Sequence, residues 1–319
     1  MNKMIVGIDI SKAYFDASWR RDDGMDEQHR YSQDPAGYAA LVSVTPAGSV
    51  YVMEATGVYY LKLAHALYEH GQRVAVVNPL VIRRYGQMKL LRAKTDAADA
   101  RLIADYGRST ALTEWRPSSR VVGEMQQLES WLASLTQEET RLLNQQEALA
   151  QRPEAADFVR EAQRHLLEEV RTQVAACERR LQHLAKTHFG ELYRRLLSIP
   201  GMGPKTAVKL IAVTEGFTRF ATVEALVSYL GLCPRVFESG SSVRGKGHIA
   251  KLGMGRLRQL LYLCSWTAKR CNAACRALYE RLQAKGKPER VIKIAIAHKL
   301  VRQAFAVAMK KEMYSGAHA

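Results

Sequence analysis

A chain of 319 residues, 47% hydrophobic and 24% charged, has globular composition and length enough for about two domains with ordinary cores, which excludes a disordered chain. Forty-seven Lys and Arg against 31 Asp and Glu give a formal net charge of +16, which points to a polyanionic partner, nucleic acid before an anionic membrane. No apolar run approaches the roughly 18 residues of a membrane helix, the start MNKMIVGIDIS carries no signal-peptide pattern, and five cysteines without a CxxC pair read as reduced thiols of a cytosolic protein rather than a zinc ribbon or disulfide framework.

The charge is not spread evenly. Residues 1–110 hold 14 Lys and Arg against 12 Asp and Glu, residues 111–190 hold 10 against 12, and residues 191–319 hold 23 against 7. The whole excess therefore lies in the C-terminal segment. Charge distributed for solubility would not segregate in this way, whereas a polyanion-binding domain would.

In chain order, residues 4–10 (MIVGIDI) alternate and are β-branched, which predicts a strand. A tight turn at Ser11-Lys12 leads to a second strand over 13–20, and the turn signal Asp22-Asp23-Gly24 to a third over 27–32, a meander. A short helix follows from Pro35 to Val44, then a strand over 50–53 ending at Glu54, a helix over 58–70 opened by Thr56-Gly57 and stopped by Gly71, and a strand over 73–77. Asn78-Pro79 begins another helix and 96–107 makes one more. This order predicts an α/β domain over 1–110.

Between 118 and 188 apolar residues recur at 4,3 spacing, from Val121, Met125, Leu128, Leu132 and Leu135 through Leu142 to Leu149, with gaps at Glu139 and Gln146, and, beyond Pro153, from Leu167 through Val170, Val174, Cys177 and Leu181 to Leu184. Two long helices are predicted, as an internal antiparallel hairpin or as an arm that pairs between chains, and the spacing leaves that choice open. Residues 191–319 read as mainly helical, with a helix from near Glu191, a turn at Ile199-Pro200-Gly201-Met202-Gly203, a helix over 204–215, a Gly/Ser-rich stretch over 238–247, and long helices at about 251–283 and 288–311. The expected organisation is thus 1–110, 111–190 and 191–319.

Three constellations could carry chemistry. Asp9 sits in an apolar strand, where a charge is expensive unless paired or bound to a cation. Glu54 ends another strand, and Asp96 and Asp99 are three apart at a helix start and share a face, although Asp96 could also simply cap that helix. Oxygen ligands from several elements, with no neighbouring His or Cys, suit a hard divalent ion such as Mg²⁺, with Mn²⁺ as a substitute; two such ions about 4 Å apart can activate a nucleophile and stabilise the leaving oxygen of a phosphodiester. An acid in the first strand of a meander, another at a later strand end and a late acidic helix resemble the RNase H-like nuclease fold.

The second constellation is Leu196 to Leu210, which resembles a helix-hairpin-helix motif. Gly201 and Gly203 would let the backbone approach a phosphate, the next helix start offers free N–H groups, and Lys205 adds charge; an ordinary helix–turn–helix corner is the alternative. The third is Phe237 to His248, with Ser239, Ser241 and Ser242 among glycines and Arg244 and Lys246 close behind. A serine there could attack a phosphate held by those cations, or the stretch could be a flexible phosphate-contacting loop in which His248 is solvated or touches phosphate.

Taken in order, Gly-Ile-Asp9-Ile-Ser-Lys, Met-Glu54-Ala-Thr-Gly-Val-Tyr, Val-Asn-Pro79, Lys-Thr-Asp96-Ala-Ala-Asp99-Ala-Arg, Ile-Pro-Gly-Met-Gly and Glu-Ser239-Gly-Ser-Ser-Val-Arg-Gly resemble the DEDD transposases of bacterial insertion sequences, the bridge-RNA-guided recombinases, from about residue 5 to residue 310. The resemblance implies an α/β RNase H-like (RuvC-like) N-terminal domain, a helical coiled-coil arm and a mainly α C-terminal transposase domain. It implies that Asp9, Glu54, Asp96 and Asp99 hold Mg²⁺ and that Ser239 is the nucleophile, forming a 5′-phosphoserine link. It further implies donor and target DNA as substrates, a structured noncoding guide RNA from the element's flank, and dimers assembling to tetramers in which the RuvC-like domain of one protomer faces the transposase domain of another. The setting would be the bacterial cytoplasm, at the nucleoid, with no membrane partner. Two other readings compete: a Mg²⁺-dependent Holliday-junction resolvase or nuclease that uses water as nucleophile, and an architectural nucleic-acid-binding protein that needs no tetrad.

Overall fold

A computed structural model describes residues 4–90, 96–154, 156–235, 238–239, 243–244, 248–249 and 253–316. The chain divides into two compact units, Met1–Pro117 and Ser118–Ala319.

The first unit runs β1 (Ile5–Ile10), β2 (Tyr14–Arg20), β3 (Asp26–Ser32), α1 (Pro35–Val44), β4 (Val50–Glu54), α2 (Tyr60–Glu69), β5 (Arg73–Val77), α3 (Pro79–Met88) and α4 (Asp96–Ser109). The starts of α1 and α3 follow capping chemistry. Asp34 accepts from the Gly37 N–H at 2.9 Å ahead of Pro35, and Asn78 accepts from the Leu80 N–H at 2.9 Å ahead of Pro79. The strands form one mixed sheet in the order β3-β2-β1-β4-β5, antiparallel from β3 to β1 and parallel from β1 to β5.

Because successive strand side chains point to opposite faces, the sheet has two distinct sides. Val6, Ile8 and Ile10 of β1 share a core with Tyr51, Met53 and Val74 and with Leu41 of α1 and Leu63 of α2. Val50, Val52 and Ala75 pack the other side with Ile82 of α3 and Ile103 of α4. Gly7 and Asp9 belong to this second side. There α4 descends directly onto β1: a Cβ on Gly7 would fall 2.2 Å from the Ala104 nitrogen and 2.3 Å from the Ala100 oxygen. At the far end of the helix, a Cβ on Gly107 would lie 2.7 Å from Ile5 Cγ2. The helix therefore runs antiparallel to β1, and its acidic first turn, Asp96 and Asp99, meets the carboxyl end of that strand.

The second unit is built from α5 (Arg120–Ala150), α6 (Asp157–Leu197), α7 (Pro204–Thr214), α8 (Val223–Leu230), four two-residue strands, α9 (Gly255–Cys271), α10 (Ala273–Ala284) and α11 (Glu289–Lys310). Of the strands, β6 (Pro234–Arg235) pairs antiparallel with β9 (His248–Ile249), and β7 (Glu238–Ser239) with β8 (Val243–Arg244). The seam predicted from the 4,3 spacing is filled within one chain. Leu135, Leu142, Leu167, Val170 and Cys177 close it, and Arg171–Glu139 (2.8 Å) and Arg180–Glu124 (2.7 Å) bridge α5 and α6 along its edges. The base of this hairpin merges with the helical core through Met125, Leu181 and Leu184, which share a cluster with Leu210 and Ile211 of α7, Leu261 of α9 and Leu300 of α11. α7 is buried from Thr206 to Thr214, and the one charge in that span, Lys209, is paired with Glu129 of α5. Among the described residues no helix is long and apolar enough to cross a membrane.

Three elements depart from the sequence reading. The helix expected to start near Glu191 is the last stretch of α6, which continues past a kink at Phe189 (φ −129°, ψ 27°). The short α8 was not expected, although Thr222 caps it through the Ala225 N–H (3.2 Å) and Gly231 ends it in the left-handed conformation. The helix expected over 251–283 breaks at Asn272, which is extended (φ −105°, ψ 111°) and buried. Its side chain accepts from the Cys275 N–H (3.2 Å), capping α10, and donates to Gln303 Oε1 (3.0 Å) and the Pro200 carbonyl (3.3 Å). Partners so distant in sequence leave no trace in local periodicity.

Gly7→Ala should lower the stability of the first unit by about 3 kcal/mol, because backbone rather than a flexible side chain blocks the added methyl. Gly123→Ala in α5, where a Cβ meets nothing within 4 Å, should instead be neutral or stabilising by up to about 1 kcal/mol. Urea unfolding of both variants checks this; a wild-type midpoint for Gly7→Ala would mean that α4 is not seated on β1.

Candidate active site

The sheet alternation that turns Gly7 toward α4 also turns Asp9 toward it. On the adjacent parallel strand β4, Val52 faces the same side, so Glu54 two residues later does too. Ile8 and Met53 are register partners, so Asp9 and Glu54 are the next residues on neighbouring strands. The carboxyl ends of parallel strands are where open α/β sheets place their ligand sites. The first turn of α4 adds Asp96 and Asp99.

Asp9 feels the charge of the other three acids. Asp9 is half-buried, and its carboxyl is pushed up from 3.8 to about 6, first by burial and then by the charges of Asp99, Glu54 and Asp96. A carboxylate in that position, raised by three like charges, is one that a cation would stabilise. The arrangement as it stands is not a closed coordination shell: among the described residues no group of three acidic, His or Cys side chains could hold a metal ion. Two of the acids have partners within the fold. Glu54 accepts a hydrogen bond from the Thr56 hydroxyl. Asp96, the first residue of α4, accepts from the Tyr14 hydroxyl at 3.2 Å and lies 3.5 Å from Arg30 Nη2.

Sequence reasoning missed the residues behind that second contact. Asp16 lies opposite Asp9 in the β1–β2 register and is only 5% exposed. Its charge is met by Arg30 through two bonds of 3.1 and 3.0 Å, and the guanidinium stacks 4.0 Å from the centre of the Tyr14 ring. The signal was the same as for Asp9, an acid inside an apolar strand (YFDASWR), joined to a cation in the neighbouring strand.

The remaining expected residues belong to the second unit. Gly201 has φ 94°, and a Cβ on it would lie 2.7 Å from Ala268 Cβ, so this glycine serves a left-handed turn seated against α9. Gly203 is the residue before α7 and has open space around it. Lys205, expected to meet phosphate, is paired with Glu178 of α6. Ser239 pairs with Val243 and Glu238 with Arg244 in the β7–β8 ladder, and for these residues, as for His248, the description is of backbone alone. Ser241, Ser242 and Lys246 lie outside the described residues.

Known proteins match this chain along nearly all of it. The family model described as "Transposase", of the DEDD type, matches residues 6–152, and that of the "Transposase IS116/IS110/IS902 family" matches residues 193–280. The pilin gene-inverting proteins of Moraxella bovis and Moraxella lacunata are each 30% identical over 324 aligned residues, covering 96% of this chain and 96% of their own. The chain belongs to the IS110 family of DEDD transposases. A probable family 20 transposase of Pseudomonas aeruginosa is 31% identical over 159 residues, 47% of this chain and 46% of its own. The transposase is accordingly a DNA recombination enzyme of the insertion-sequence class, and all four acids singled out above fall within the first matched region.

The Asp9 shift has a consequence for stability. A carboxyl whose folded value is raised opposes folding once ionised, so its contribution is fully present below 3.8 and is lost as pH rises through about 6. In chelator, Asp9→Asn should match the wild type below about pH 4 and be more stable by about 1 kcal/mol near neutrality, the figure being reduced by solvent screening of a partly exposed cluster. Urea midpoints across that pH range check it; a difference independent of pH would mean that Asp9 does not face the other acids.

Proposed function

We propose that this transposase cuts and exchanges strands between donor and target DNA through a 5′-phosphoserine link at Ser239, with Mg²⁺ (or Mn²⁺) held by Asp9, Glu54, Asp96 and Asp99. The observation that carries the reading is the gathering of three carboxylates around the raised carboxyl of Asp9, at the ends of neighbouring parallel strands. The sheet order and this position support an RNase H-like, RuvC-like assignment for the first unit, followed by the coiled-coil arm and a basic transposase domain over about 191–319.

The donor set is all oxygen, partly desolvated and in electrostatic excess, which fits a hard divalent ion. When bound, such an ion supplies Lewis-acid stabilisation of oxygens at the reacting phosphorus. The chain's own part is covalent. The Ser239 hydroxyl gives up its proton as its oxygen bonds to phosphorus; the bond from phosphorus to the 3′ oxygen breaks, and that oxygen leaves with a proton as a free 3′-OH. The reverse attack, by a 3′-OH from the other duplex, releases the serine and reseals the strand. One phosphoester is exchanged for another, so no nucleotide cofactor is required. Inversion of a DNA segment, the activity named for the Moraxella relatives, needs the same balanced cutting and resealing.

Guidance by a structured noncoding RNA from the element's flank would leave the protein holding backbones through the segregated positive charge, while base pairing selects both DNAs. The working assembly would be a dimer that forms tetramers, bringing tetrad and serine to one phosphodiester, at the nucleoid in the bacterial cytoplasm.

Incubation of the purified protein, its co-purifying RNA and labelled donor DNA with Mg²⁺ should give a protein–DNA adduct that survives boiling in detergent. Ser239→Ala should abolish the adduct while DNA binding persists, and Asp9→Asn and Asp99→Asn should reduce Mg²⁺-dependent cleavage by at least about 100-fold. Cleavage with no adduct would replace the serine with water and make the chain a resolvase. Full activity of both Asp variants across a Mg²⁺ titration would remove the metal assignment.

A further inference from the structure

The C-terminal helices carry an aromatic site that the cleavage chemistry does not use. Trp266 projects from α9 with 48% of its surface exposed, and Leu263, one turn earlier on the same face, is exposed as well. Side by side on one helix face, the two side chains form a small exposed apolar patch. The tryptophan is also held in place. The Lys293 ammonium of α11, itself 3% exposed, lies 3.1 Å from the centre of the indole ring. Glu289 accepts from Lys269 at 3.0 Å and from the Tyr279 hydroxyl at 2.9 Å, and pairs with Lys293 at 3.2 Å. A buried lysine is tolerated only where such partners meet its charge. Together these contacts fix the indole while leaving about half of it to solvent.

The surroundings define what could cover it. Residues 255–310 contain 13 Lys and Arg against two Glu, so the charge favours a phosphate-bearing partner over a protein face. Beside the network lies an open recess of about 450 Å³ lined by Lys269, Arg270, Arg276 and Tyr279, with Glu280 and Gln283. Among the described residues neither Arg270 nor Arg276 has a carboxylate partner; the Arg276 guanidinium donates to the Arg270 carbonyl. Trp266 and Arg270 are four apart on one helix, neighbours about 6 Å apart. A rigid aromatic surface next to guanidinium groups that no carboxylate neutralises suits a base that stacks while its phosphate is held.

We propose that Trp266, fixed by Lys293, stacks against an unpaired nucleobase of single-stranded DNA whose backbone phosphate is taken by Arg270 and Arg276. The proposal rests on the reading of this chain as a DNA strand-exchange enzyme and adds a grip on the strand that leaves its duplex. A paired base is already stacked on both sides and offers no face to the indole, so the site discriminates single strands from duplex.

The test uses the full-length protein and fluorescence anisotropy with three labelled DNAs: a single-stranded oligonucleotide, the same strand with abasic positions, and its duplex. Wild type should bind the intact strand about tenfold more tightly than the abasic one. Trp266→Ala should lose that preference, Trp266→Phe should keep most of it, and duplex affinity should change less than about twofold in both. Because the indole is exposed, the Phe variant retains the fold, and its circular dichroism melt verifies this. An Ala variant that still prefers the intact strand overturns the proposal, as does equal weakening on duplex, or tighter Trp266-dependent binding of RNA of the same sequence. Loss of all DNA binding by the wild type would instead remove the strand-exchange reading itself.

Discussion

The acidic cluster of the first unit depends on the absence of one side chain. Gly7 allows the backbone of α4 to lie against β1 at a distance that no other residue permits, with Ala100 and Ala104 supplying the matching small surface. That contact fixes the depth and direction of the helix. Since α4 runs antiparallel to β1, the same contact brings Asp96 and Asp99 to the strand end where Asp9 emerges, two residues beyond the glycine. Sheet alternation then adds Glu54 from β4. Four acids separated by up to 90 residues of sequence are thus gathered by one packing decision and one two-residue period.

Gathering like charges opposes folding, and the structure treats two neighbouring strand acids in opposite ways. Asp16 is more deeply buried than Asp9, yet Arg30 satisfies it with a paired contact, so its charge is part of the scaffold. Asp9 has three carboxylates for neighbours and a raised proton affinity. The first is balanced by a cation of the fold itself; the second meets its like-charged neighbours by holding its proton more tightly. Arg30 and Tyr14 also reach Asp96, which gives the cluster a cationic contact at one edge and holds that carboxylate toward β2 and β3. A cation entering the cluster would compete with that contact for Asp96.

What could be read from sequence followed the range of the interaction involved. The strands and helices of the first unit are set by period, caps and turns within a few residues, and Pro35, Asn78 and Gly71 mark them as expected. Asp9 stood out because a charge inside an apolar strand is conspicuous, and Asp16 was overlooked although it carried the same mark. Residues whose conformation is decided by distant partners were not legible. Asn272 interrupts a sequence with good helical pattern because Gln303 and Pro200 receive its amide. Whether the arm paired within or between chains depended on the reversal after Ala150, which heptad spacing does not encode. Lys205 read as a free cation because Glu178, its partner, lies in another helix.

That last pairing bears on where the positive charge acts. Lys205 and Lys209 in α7 are matched by Glu178 and Glu129 of the arm, so part of the basic charge near the glycine turn is neutralised by the acidic arm and serves to hold the helices together. In α9 to α11 the balance is different. Only two glutamates stand among 13 basic residues; Glu289 is engaged by Lys269 and Lys293, Arg302 reaches Glu224 of α8, and basic groups still far outnumber the acids within these helices. An excess positive field over these helices raises the free energy of the folded unit through self-repulsion, a penalty that a polyanion relieves and simple salt relieves only in part. The electrostatics therefore shift the expected nucleic-acid contact away from the turn at Gly201 and onto the surface of the last three helices, where the exposed aromatic group already stands.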